Sequence, residues 1–312
     1  MTGGMSPDVV EFPGSERLRP DGRPRGHLRA ELRRIPDRRN ALSCVVSIAL
    51  PVLVVAAVAR VGHWSAVVVA VPVMGVLQNR MFILHHEGAH RLLFSNRRWN
   101  DLIGINLFGW LAFGTGTHAY RRAHSQHHRD EFGPKEPDFL LYALYPITRR
   151  SLRRKLVRDA TGVSAYRILR PRLTGLFRRR YLPNSARFYA GQVAVFALFA
   201  LGSAPWLYLW LWVLPYVAIY QVLNRLRAIA EHGGMTRSTD RRRTAHHVRQ
   251  WRLARAVLVP YGVGYHLAHH VDSGVPFRNL PALQGILEAE GYCTPEMAWP
   301  NYRTLWKALA SG

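Results

Sequence analysis

Cysteine is nearly absent. Cys44 and Cys293 are the only two in 312 residues, which excludes a disulfide framework, a rubredoxin-like iron site and a zinc ribbon. Acidic residues are scarce as well, with 19 Asp and Glu against 43 Lys and Arg, a formal net charge of +24. That balance calls for a negatively charged partner: nucleic acid, an anionic membrane surface or an acidic protein. No nucleic-acid-binding module accompanies the charge, so nucleic acid is not the expected partner. No signal peptide is expected either. Residues 1–40 are polar, with Pro7, Pro13, Pro20, Pro24 and Pro36 among clustered arginines, the composition of a flexible arm.

What the chain does have is apolar sequence, 48% of its residues, gathered in blocks rather than at amphipathic intervals. The blocks form two pairs. Residues 41–59 and 64–84 are separated by Arg60-Val61-Gly62-His63, and about 186–204 and 206–223 by a tight turn. Each block approaches the ~20 residues that cross a bilayer core. Trp206, Tyr208, Trp210 and Trp212 open the fourth block and suit a membrane interface or helix packing equally. Leu102–Phe113 is too short to span, and Trp251–Tyr265 carries Arg252, Arg255 and Pro260; both are expected to be interfacial or re-entrant. Four spans put both termini and residues 85–187 on one side, with nearly all the basic residues. The positive-inside rule makes that side cytoplasmic. The expected fold is an all-α membrane protein, four transmembrane helices with a cytoplasmic helical cap.

The chemistry lies in histidine. Of 15 histidines, nine fall into four tight groups: His86 and His90; His124, His127 and His128; His232; and His266, His269 and His270. On a helix, positions i, i+3 and i+4 share a face, so each group can aim its imidazoles at one point. All four groups fall on the same predicted side of the membrane. Nine ligands exceed the needs of one zinc, which takes about four, whereas a pair of irons with open positions uses eight or nine. The role of His85 stays open, and His118, His246 and His247 lie outside the pattern.

His86-Glu87-Gly88-Ala89-His90 with Arg91-Leu92-Leu93-Phe94, Tyr120-Arg121-Arg122-Ala123 leading into His124, His127 and His128, Glu231-His232, and His266, His269 and His270 resemble the histidine boxes of the integral-membrane fatty acid desaturase and hydroxylase superfamily. The resemblance covers about residues 41–285, leaving the arm 1–40 and a tail 286–312 outside it. It implies a non-haem di-iron site in the cytoplasmic cap, two Fe2+ ions with O2 as co-substrate, and oxidation of unactivated C–H bonds. Desaturation of a fatty acyl or other lipid-like chain is the reading it favours, with hydroxylation by the same centre as the alternative. No fused redox domain is evident, so the electron donor is expected to be separate, a ferredoxin with its reductase. Neutral histidines cancel none of the metal charge, so carboxylates are expected behind them; Glu87 and Glu231 are nearest in sequence, then Asp138.

Two other classes compete. His86-Glu87-x-x-His90 is also the zinc-protease pattern, with Glu87 as general base. That reading gives the remaining boxes and His232 no purpose. A metal transporter or sensor would place polar residues inside the spans, where this sequence has almost none.

Overall fold

The computed structural model describes residues 4–312. In chain order its principal helices are α1 (Gly26–Leu32), α2 (Asp37–Val61), α3 (Trp64–Ala89), α4 (Ala119–Arg129), α5 (Arg149–Ala160), α6 (Val163–Leu173), α7 (Leu182–Leu201), α8 (Gln221–His232), α9 (His266–Val271), α10 (Leu280–Ala289) and α11 (Tyr302–Leu309). The only sheet among the described residues is a parallel pair, β1 (His247–Val248) with β2 (Ala298–Trp299). The fold is therefore mostly helical. Two compact units divide the chain. An apolar unit comprises Asp37–Ala119 and Arg154–Asn224; a histidine-rich unit comprises the segment ending at Pro36, Tyr120–Arg153 and Arg225–Gly312.

In the apolar unit, α2 and α3 are apolar along most of their length, and both are long and apolar enough to cross a membrane. Their 25 and 26 residues extend close to 40 Å at ~1.5 Å per residue. Gly62, with φ of +65°, ends α2, and His63 caps α3 by accepting from the Ser65 amide. The first two expected spans fall within these helices. α3 runs on to Ala89, so His86 sits on the helix itself and His90 at its C-cap. The third apolar block is α7. The fourth is wound as π-helix over Leu209–Val213 and Pro215–Tyr220 before continuing as α8; Pro215 has no amide proton for the α-helical ladder.

The short apolar stretch after α3 forms a π-helix, Asn100–Leu107, and a single helical turn, Phe108–Leu111. It lies against the end of α3 so closely that a Cβ on Gly88 would come within 2.6 Å of the Gly104 Cα. Asn100 Nδ2 donates to the Gly88 carbonyl at 3.0 Å, and His85 Nδ1 to the Gly104 carbonyl at 2.7 Å. Buried polar side chains here serve packing. Gln78 Nε2 donates to the Trp212 carbonyl at 2.7 Å, and Tyr208 and Trp212 both donate to Gln192 Oε1 at 3.2 Å. The outer surface is unusually apolar, with Leu42 64%, Val69 67% and Leu201 82% exposed.

The histidine-rich unit corrects one expectation. From Gly4 onward the polar N-terminal stretch is not a free arm; residues 1–3 lie outside the described residues. Leu18 is fully buried, Phe12 packs edge-on against Tyr292, and Arg29 and Arg33 reach Asp272 at 2.7 and 3.1 Å. Residues 37–40 already belong to α2. Local composition predicts disorder when no partner is visible, and these partners lie more than 200 residues away. The C-terminal stretch is packed too: Trp306 Nε1 donates to the Leu226 carbonyl at 2.9 Å and Trp299 Nε1 to His246 Nδ1 at 3.2 Å.

Candidate metal centre

α4 carries His124, His127 and His128 at i, i+3 and i+4; α9 carries His266, His269 and His270 with the same spacing; α8 ends in His232. All but His128 are buried. Seven of the nine candidate ligands thus come from three helix segments of one unit. His127, His232, His266 and His270 each present a ring nitrogen within 4.8 Å of those of the other three. His124, His128 and His269 lie beside them, with His128 Nε2 at 3.1 Å from Nε2 of both neighbours. In the apolar unit, His86 and His90 face each other at the end of α3 with ring centroids 4.8 Å apart.

The outward nitrogens decide which way the inward ones point. His232 Nδ1 donates to the Thr244 carbonyl at 2.8 Å, an acceptor that allows no other role. His127 Nδ1 donates to Glu136 at 2.9 Å and His270 Nδ1 to Glu131 at 2.5 Å. Arg241 holds Glu131 in turn at 2.6 Å. In the neutral imidazole, each of these bonds leaves a lone pair on Nε2. His232 Nε2 and His266 Nε2 stand 2.9 Å apart, and the buried His270 Nε2 has no hydrogen-bond partner. Several lone pairs converging in a buried space repel unless a cation lies among them. The residues fit a bound metal.

Protonation agrees. Burial, reinforced by neighbouring imidazoles, holds His232, His266 and His270 far below the ordinary imidazole range, so their rings are neutral at pH 7, the form in which imidazole can bind a metal. Burial also lowers His127, but its bond to Glu136 and that carboxylate's charge outweigh it and raise the ring. A metal would displace that proton and take its place opposite Glu136. Burial pushes the Glu131, Glu231 and Asp138 carboxyls up, opposed by Arg241 at Glu131 and by Arg227 at Glu231. A divalent cation nearby would favour their ionised forms.

The three expected carboxylates have different fates. Glu231 lies 3.6 Å from His266 Nδ1 and pairs with Arg227. Asp138 belongs to a cluster with His127 and Glu136, its amide donating to Glu136 at 2.9 Å. Glu87 is buried on α3 next to His86. The closest supports, Glu131 and Glu136, were not singled out by sequence. Glu131 carried a signal, falling four residues after His127; Glu136 sits in a loop and carried none. The histidines outside the pattern have other partners. His85 is held by Gly104, and His118 lies 3.8 Å from Asp101. His246 donates to the Gly233 carbonyl and is lowered by burial to about 4; His247 pairs with Glu288 at 3.2 Å. Cys44 and Cys293 are buried and form no disulfide, and burial pushes Cys293 up to about 12.

The chain is mostly helical, with two helices long and apolar enough to cross a membrane and a buried multi-histidine cluster that could hold a metal ion. The sequence pattern of the fatty acid desaturase family matches residues 62–306, and the chain belongs to that family. Among curated proteins it is similar to the dihydrorhizobitoxine desaturase of Bradyrhizobium elkanii. The two are 28% identical over 255 residues, covering 76% of this chain and 72% of that protein.

Proposed function

We propose that this protein is a multi-pass membrane di-iron desaturase that converts a CH–CH unit of a fatty acyl or other lipid-like chain to C=C. The balance is substrate plus O2, two electrons and two protons, giving the alkene and two waters. The observation that carries the reading is the convergence of His127, His232, His266 and His270 with their outward nitrogens engaged. The nine histidines would hold two Fe2+ ions, with these four as the ligands of one of them. When bound, the two irons supply the O2-dependent oxidant that unactivated C–H bonds require. The chain's own part is to fix ligand tautomers through Glu131, Glu136 and Thr244, to set carboxylate charge against metal charge, and to keep the site dry by burial.

A lipid-like substrate is supported by an apolar cavity of about 260 Å³ in the apolar unit, lined by Ile48, Val52, Met74, Met81, Phe199 and Trp212. Four spans with cytoplasmic termini and histidines are supported by the near-exclusive placement of basic residues on one side. A separate ferredoxin with its reductase is proposed as donor, supported by the +24 charge.

The test is expression in a host with a matched ferredoxin and reductase, followed by mass spectrometry of lipids and small metabolites. Loss of two hydrogens is expected. Gain of one oxygen would replace desaturation with hydroxylation, and no oxidised product from iron-loaded protein would overturn both. About two irons per chain are expected; one zinc would return the protease reading.

A further inference from the structure

No acidic residue occurs between Asp159 and Glu231. Within that stretch, α6 and the turn leading to α7 present Arg167, Arg170, Arg178, Arg179 and Arg180, all exposed. Among the described residues none of these five is paired with a carboxylate. Such a patch attracts anions strongly. It is not purely polar, however. Tyr166 is 57%, Ile168 41% and Phe177 89% exposed among the arginines, and the Arg180 guanidinium lies 5.8 Å from the Tyr181 ring. Arginines interleaved with outward-facing aromatic and aliphatic side chains match the boundary between lipid headgroups and acyl chains.

A second feature adjoins the patch. An apolar cavity of about 580 Å³ is lined by Tyr166, Leu169 and Leu173 of α6 and by Tyr189, Val193 and Phe196 of α7. The spacing 166, 169, 173 is one helix face, and Arg167 and Arg170 follow its members directly in sequence. The volume is in the range of small-molecule sites. One helix therefore offers both cationic headgroup contacts and an apolar chamber. A nucleic acid or an acidic protein would match the charge and leave Phe177 and the chamber unused.

We propose that α6, the turn after it and the adjoining cavity bind an anionic phospholipid, with the arginines on its phosphate and an acyl chain in the chamber. The proposal rests on membrane association and not on iron or turnover.

The test uses the full chain purified in an uncharged detergent, with phosphatidylglycerol or phosphatidylcholine of equal chain length added at equal concentration. Native mass spectrometry should show phosphatidylglycerol retained at least ~10-fold more, since clustered arginines near the membrane surface favour anionic lipid. The unfolding midpoint should rise with phosphatidylglycerol alone. Replacing Arg167, Arg170, Arg178 and Arg179 together with Gln should abolish the preference. Val193→Trp, which fills the chamber and leaves the charges intact, should lower phosphatidylglycerol retention and keeps the test decisive if the fourfold variant does not fold. Both variants need the parent's unfolding midpoint without lipid. Equal retention of the two lipids, parental retention by the folded variants, or displacement of phosphatidylglycerol by equimolar inorganic phosphate would overturn the proposal. Intact iron content and turnover alongside such a failure would leave the proposed function standing.

Discussion

At the residue scale, the centre is organised by what lies behind the histidines. Glu136 and Glu131 fix the rings of His127 and His270, and Arg241 fixes Glu131. His127→Ala or His270→Ala should lose bound iron and activity while the protein still inserts; elemental analysis showing full iron in both would refute the assignment. Glu136→Gln keeps an acceptor for His127 Nδ1 but removes the charge. It should weaken iron binding by about 10–100-fold with all nine histidines in place, measured by iron retention against a chelator series. Sequence spacing made the histidines legible because helical periodicity is local. It did not reveal Glu136, whose role depends on a loop returning to His127.

At the element scale, two contacts decide whether boxes are presented correctly. The first is the approach of the Asn100–Leu107 segment to α3, where Gly88 has no room for a side chain. Gly88→Ala should displace the end of α3 that carries His86 and His90, seen as lost iron and a lower unfolding midpoint, whereas Gly285→Ala, at a position open to a Cβ, should change neither. The second is the strap from α1 to Asp272, the residue following α9. Burial opposes ionisation of Asp272, but the Arg29 hydrogen bond and the Arg33 and Arg29 charges outweigh it and hold the carboxyl below its ordinary range. A depressed carboxyl stabilises the fold above its unfolded pKa, and that contribution is lost as pH falls through the folded value. Asp272→Asn should therefore cost about 1–3 kcal/mol near neutrality. The gap from the parent should close below about pH 4, read from unfolding midpoints across pH.

At the scale of the whole molecule, basic residues greatly outnumber acidic ones, 43 to 19. The apolar unit exposes leucine and valine along α2, α3 and α7 and arginine on α6 and the turn after it, and the excess of arginine suits contact with anionic lipid and an acidic donor. With a ferredoxin donor, turnover should fall steeply as ionic strength rises above ~0.1 M, where the screening length is ~10 Å. A flat dependence in stopped-flow reduction assays would assign the arginines to the membrane alone.

The sequence by itself determined the helical class, the helices that became α2 and α3, and the candidate ligands, since all of these follow from periodicity and composition over a few turns. Tertiary structure decided the rest. It brought His232 beside His266 and His127 from three separate segments, supplied Glu131, Glu136 and Thr244 as the groups that orient the rings, and ordered an arginine-rich stretch that composition alone would leave unfolded. These are pairings between residues far apart in the chain, set by packing geometry and by the cost of burying a polar group without a partner, which no local window of sequence records.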